Sequence, residues 1–275
     1  MEVTALLQPT LQASPIRPVQ LVLVRANAPL FYSVASASLL ESGMPLAADR
    51  LLHFFGSDPV LDRWVRHEWL PRKIARTAQL RDYVTATWPE YDWMAGHEQY
   101  RAAAEAEGGL GRHRPTGAHE ALARCVASAQ SGIFYRTLAR WAEDPRLRTL
   151  ARAIAEEEAA SFVQFRRLYD RRLRAQGFAC TAAWTTALAC VRNARDAQVP
   201  RAFDAIASQC APNSPFPVLE YPEFVKRMGA VIERHGHLGT PERILFHAWR
   251  GEPRVRAMRT DRRSPAWFTP VLKAA

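Results

Sequence analysis

The sequence predicts an all-α fold on three observations. Apolar residues recur at spacings of three and four from about residue 25 to about residue 210. β-Branched runs with period-two alternation are nearly absent, and Asp-Pro steps stand where two of the periodic stretches begin. At 275 residues and 48% hydrophobic content the chain can bury a sizeable core, which excludes disorder as the whole answer.

Residues 1–25 read as an N-terminal arm, in which Gln20 to Val24 (QLVLV) is the one strand-like stretch. Residues 26–210 read as the helical bundle and 211–275 as a Pro-containing extension. Ser57-Asp58-Pro59 opens a helix, with a capping side chain just before a first-turn proline, and the pattern runs through Trp64, Trp69, Ile74 and Leu80 to about Thr87. Pro71 lies inside that run, where it removes a backbone donor and should kink or split the helix. Pro89 ends it, and Asp92 caps a helix through Tyr100 to Ala106.

Gly108 to Gly117 is a loop by composition. A helix from about Ala118 to Trp141 follows, and Asp144-Pro145 opens another that runs to about Arg174. With so short a connection the two should form an antiparallel hairpin. Further helical patterns cover Thr181 to Arg192, Pro200 to Gln209 and a stretch within 222–247. From Thr240 the tail is basic, irregular and Pro-containing.

Lys and Arg number 37 against 27 Asp and Glu, a formal net charge of +10, so acidic partners are favoured. Lys73, Lys226 and Lys273 are the only lysines. An Ala/Arg-rich, Lys-poor composition is what a GC-rich genome writes by default, which disfavours nucleic acid as the partner. The N-terminus lacks a basic segment followed by an apolar core, and no uninterrupted apolar run approaches ~18 residues. The chain therefore reads as cytoplasmic, without a membrane span. Cys125, Cys180, Cys190 and Cys210 form no CxxC pair and read as free thiols. Gly108 to Gly111 lacks the preceding strand and Lys-Ser/Thr ending of a phosphate-binding loop, and no GxSxG motif is present.

The helix after Asp144-Pro145 carries the functional question. Its apolar stripe runs Leu147, Leu150, Ala151, Ile154, then Glu158, Ser161, Phe162, Phe165 and Tyr169. Glu158 stands four residues after Ile154 and four before Phe162, which points a carboxylate into the interior. An unpaired charge there would cost several kcal/mol, so a metal, a facing arginine or a bound proton must neutralise it.

The segment Asp144 to Phe165 (DPRLRTLARAIAEEEAASFVQF) resembles the fourth bundle helix of the ferritin-like superfamily, in its non-haem di-iron oxidase and oxygenase branch, which includes the acyl-carrier-protein desaturases. Ser128 to Arg140 and Leu80 to Trp93 resemble that branch's third helix and the end of its second. The resemblance covers residues 58 to 175 and implies a four-helix bundle with additional C-terminal helices and an irregular basic tail. In that family a Glu from each of two helices and Glu-x-x-His from the other two hold two metals.

Carried over position by position, Glu158 occupies the Glu of the fourth-helix motif and Ser161 stands where its His would be. On the third helix the expected Glu falls at Ser128, and on the second Lys73 and Arg76 stand at the Glu and His. The resemblance thus implies a degenerate site without a cofactor, in an accessory or partner-binding subunit of an oxidative biosynthetic pathway. The alternative is an active iron-dependent oxidase or oxygenase acting on a small molecule, acyl chain or peptide. Its atypical, mononuclear ligand set would be His67, Glu68, Glu157 and Glu158, joined by His97 or His119. Arg166, Arg167, Arg171 and Arg172 form a basic run that either suits the helix dipole or docks an acidic protein or peptide. Homo-oligomer formation stays open.

Overall fold

The computed structural model describes residues 18–106, 116–176, 186–187, 189–191, 193–210 and 218–236, and all its regular elements there are helical. The expected loop at Gly108, the start of the Thr181 helix, Cys180 and the basic tail after Thr240 lie outside the described residues. Among the described residues no helix is long and apolar enough to cross a membrane.

The chain enters through α1 (Pro18–Arg25), α2 (Ala28–Ser42) and α3 (Met44–Phe55). The strand-like QLVLV stretch is therefore helical, a correction to the sequence reading: a five-residue apolar run carries no period long enough to separate strand from helix. Asn27 caps α2, its side-chain oxygen accepting from the Leu30 N–H at 3.1 Å, and Pro29 fits the first turn. Helix α2 is buried almost all round, from Ala28 through Phe31, Tyr32 and Leu39 to Glu41, the signature of a central helix.

Asp58 caps α4 (Pro59–Trp64) by accepting from the Val60 and Leu61 N–H groups, each at 3.1 Å. A π-helical turn, Val65–Trp69, then leads into α5 (Leu70–Thr87), with the Leu70 N–H donating to the Val65 carbonyl five residues back. Pro71 explains the bulge. Its ring would clash with the carbonyl four residues earlier and it offers no N–H, and widening the preceding turn relieves both. The same device recurs at the π turn Ala194–Gln198, which leads into α9 (Val199–Ala207) with Pro200 in its first turn.

Helix α6 (Trp93–Ala106) follows the corner at Trp88 to Asp92, and Asp92 caps it by accepting from the Ala95 N–H at 3.1 Å. Trp88 and Tyr91 meet Phe31 edge-on, with ring centroids 5.2 Å apart in both pairs. The Trp93 indole donates to Ser38 Oγ at 2.8 Å. These aromatics form a packed corner that clamps α2.

Helices α7 (Gly117–Trp141) and α8 (Pro145–Gln176) make the expected antiparallel hairpin, the most extensive helix pair among the described residues. Residues 186–193 are helical where described, and α10 (Tyr221–His235) ends the described chain. Tyr32 of α2 stacks on Phe203 of α9, with Phe224 of α10 beside it, so the described part of the expected extension packs onto α2 and α9.

Buried apolar residues divide into two cores. One gathers Leu39 of α2, Leu80 and Val84 of α5, Leu138 of α7 and Ile154 of α8 with α9 and α10. The other gathers Ala47 and Phe55 of α3, Trp69, Ala129 and Ile133 of α7, and Phe162 and Phe165 of α8. Helix α8 runs from the first core to the second, whereas α5 and α7 run from the second to the first, and α2, whose buried apolar residues belong to the first core, starts beside the end of α5 at Trp88 and ends with Glu41 beside Lys73 and Arg76. Helices α2 and α5 are thus antiparallel, as are α7 and α8, while α5 and α7 run the same way, joined by a connection that carries α6.

Candidate functional site

A polar layer lies between the cores, where α5, α7 and α8 pass from one to the other and α2 ends. Helix α8 places Glu158 between Ala155 and Phe162, and α5 places Lys73 and Arg76 between Trp69 and Leu80. Helix α2 supplies Glu41 near its end and α7 supplies Tyr135. Glu158 is 1% exposed, Arg76 2%, and Lys73 and Glu41 5% each, so the charges must satisfy one another.

They do so as a cluster of mutual ion pairs, in which the buried Arg76 Nε is left without a hydrogen-bond partner. Glu158 Oε1 accepts from Lys73 Nζ at 2.5 Å and from Arg76 Nη1 at 2.5 Å. Glu41 accepts from Arg76 Nη1 at 3.1 Å, from Lys73 Nζ at 3.5 Å and from the Tyr135 hydroxyl at 3.3 Å. Arg76 Nη2 also donates to Glu157 at 2.7 Å, where the half-exposed Glu157 forms the outer edge. Lys73 lies 5.7 Å from the centre of the Trp69 ring, and the Arg76 guanidinium 6.0 Å from that of Tyr135. Two buried cations face two buried anions.

Burial by itself would raise the Glu158 carboxyl, but Lys73 and then Arg76 outweigh it by charge and hydrogen bonding and hold it at about 2. For Arg76 burial acts downward, and Glu41 and Glu158 overcome it to raise the guanidinium above its ordinary range. The Tyr135 hydroxyl is pushed well up by burial and then by Glu41. These shifts favour an ionised Glu158 and Arg76 beside a neutral Tyr135 at neutral pH.

The sequence-predicted residues divide sharply. Lys73, Arg76 and Glu158 are brought into direct contact. Ser128 is buried on α7 at the wall of a cavity that Lys73 and Glu158 also line, and Ser161 is buried on α8 one turn past Glu158. His67 and Glu68 instead face solvent on the π turn, and Glu68 pairs with Arg72 at 3.2 Å. His97 stacks on Trp93, His119 sits beside Thr116 at the start of α7, and neither joins Glu158. Among the described residues no three His, Cys, Asp or Glu side chains are grouped to hold a metal.

Sequence reasoning missed Glu41 and Tyr135. A signal was present for Glu41 alone: a helix with no charged face is buried all round, so the acid in its last turn is buried with it. The arginine run on α8 is largely engaged within the chain. Arg166 pairs with Asp170 at 2.9 Å and Arg171 with Asp58 at 3.3 Å, Arg172 lies over the Phe55 ring, and Arg167 is exposed.

Two irons at this layer would need several hard oxygen donors and imidazoles, with no cation among them. Here both carboxylates of the cluster are bonded to Lys73 and Arg76, whose charges would repel a metal, and serines stand at two further positions where the sequence resemblance implies ligands. The residues do not fit iron.

Beside the cluster lies a cavity of about 400 Å³. Its walls include Glu41, Lys73 and Glu158 at the polar layer, Phe134 and Phe165, and Met228 of α10. That volume is within the range of small-molecule pockets. No family model, curated protein or solved structure matches the chain.

Proposed function

We propose that the chain is a ferritin-like helical protein in which a buried ion cluster has replaced the di-metal centre, and that it serves as an accessory, binding subunit in an oxidative biosynthetic pathway. The observation that carries this reading is the position of Lys73 and Arg76. They sit three residues apart on α5, as a Glu-x-x-His pair would, and neutralise a Glu from each of two other helices. The helix directions support it too: two antiparallel pairs whose second and third members run parallel across one long connection are what a ferritin-like bundle requires.

A buried ion layer between two apolar cores is a positioning device. Truncating any charged member strands an opposite charge, which holds α2, α5 and α8 in one register, and the Tyr135 hydroxyl ties α7 to them through Glu41. The arginine face of α8 supports an acidic protein or peptide as partner, because its Arg166 and Arg171 ion pairs are solvent-exposed and exchange at little cost. Elemental analysis of protein expressed in iron-supplemented medium tests the reading. Iron well below one atom per chain is expected, and stoichiometric iron that Glu158→Ala removes overturns it.

A further inference from the structure

The cavity beside the ion cluster is shaped and charged for one class of ligand. On α7 its wall runs from Ala123 to Tyr135, which is about 18 Å of helix. Both π-helical segments contribute to that wall, the first through Trp69 and the second through Ala194 and Gln198. Helical bulges of this kind concentrate at functional sites, because they displace side chains from the regular register. At roughly 30 Å³ per water-sized group, 400 Å³ takes about a dozen non-hydrogen atoms.

Charge fixes the kind of molecule. Lys73 and Arg76 are already matched by Glu41 and Glu158. A carboxylate entering the cavity would face two carboxylates, and an ammonium would find both of them already neutralised, by Lys73 on the wall and by Arg76 outside it. Of the other cations on the wall, Arg124 is paired with Glu120 at 2.7 Å and Arg50 is half-buried at the edge on α3. Hydrogen bonding fixes one further feature. Trp69 and Ser36 both line the cavity, each is 4% exposed, and the Trp69 Nε1 and Ser36 Oγ atoms are buried without a protein partner. An indole N–H can only donate, so its complement is an acceptor.

We propose that this cavity binds a neutral, largely apolar small molecule carrying a hydrogen-bond acceptor, such as an aryl or alkyl ketone, at the end nearest Trp69. The proposal rests on the reading that the ion cluster is closed without a metal, because a bare carboxylate pair would select cations instead. It gives the binding subunit its cargo, an uncharged intermediate.

The test uses the full chain and two probes, benzophenone, a neutral ketone of about this size, and 4-benzoylbenzoate, the same frame with a carboxylate. Titration calorimetry should show saturable one-site binding of benzophenone and at least about tenfold weaker binding of the carboxylate. Ala37→Leu and Ala123→Leu narrow the cavity from two different helices. Whichever retains cooperative unfolding should weaken benzophenone by at least about tenfold. Equal or tighter binding of the carboxylate, no saturable binding of either probe, or unchanged affinity in the folded variants overturns the proposal. Stoichiometric iron in the purified protein would instead overturn the ion-cluster reading, whatever the probes do.

Discussion

Replacing Glu158 with Gln keeps the side-chain volume and removes one charge from the polar layer. Lys73 and Arg76 are then left buried against Glu41, with Glu157 at the solvent edge. Two charge-assisted hydrogen bonds, each 2.5 Å long, end on Glu158 Oε1. At ~1.5–3 kcal/mol for each such bond, with the Gln carbonyl still accepting one weakly, the loss comes to about 3 kcal/mol. Titration gives a second route to the same magnitude. The carboxyl sits near 2 in the folded protein against an ordinary 4.5, and a gap of that size corresponds to about 3 kcal/mol.

The folded pKa is depressed, so the unfolded chain binds more protons between those two values. The contribution is complete above about pH 4.5 and is lost as pH falls toward 2. In urea denaturation at pH 7, E158Q should lose about 3 kcal/mol, or roughly 6–12 °C in Tm for a protein of this size. The charge-balanced pair K73M/E158Q should lose clearly less than the two single losses added together. The difference between wild type and E158Q should shrink as the buffer is taken from pH 5 toward pH 3. A loss under about 1 kcal/mol for E158Q, or strict additivity in the double variant, would show that the charges do not depend on one another.

Smaller perturbations probe the frame around the site. Asp58→Ala removes the cap of α4 and should cost about 1 kcal/mol in the same denaturation assay, since its contact with Arg171 is exposed and contributes little. Trp93→Phe removes the hydrogen bond to Ser38 and should cost about 1–2 kcal/mol, with W93F/S38A losing less than the single losses added. Burial pushes the Cys125 thiol up to about 12 and the Cys210 thiol to about 11. Iodoacetamide at pH 8 should therefore leave both unmodified in the native protein and alkylate both in urea, as read by peptide mass spectrometry.

The long helices were legible because their signals are local. Asp58, Asp92 and Asp144 mark starts that the hydrogen bonds reproduce, and the stripe from Leu147 to Tyr169 placed Glu158 inside. Lys73 and Arg76 were legible as partners because their spacing survives the bulge ahead of them. The bulge itself was visible only as Pro71, since a proline says that a helix must yield without saying whether it kinks, splits or widens. Glu41 escaped notice because α2 shows no polar face against which an inward acid stands out. Tyr135 reaches Glu41 across 94 residues of chain, a pairing that no spacing within one helix encodes. The cavity was beyond sequence reasoning altogether, because its walls come from α2, α5, α7, α8 and α10 together.

The central claim is that Lys73 and Arg76 hold the place a metal would need. Its most direct test is the metal content of the full-length protein, expressed in iron-supplemented medium and measured by inductively coupled plasma mass spectrometry beside Glu158→Ala. Metal well below one atom per chain in both proteins is the predicted result. One or two iron atoms per chain in the wild type, lost in Glu158→Ala, would contradict the account.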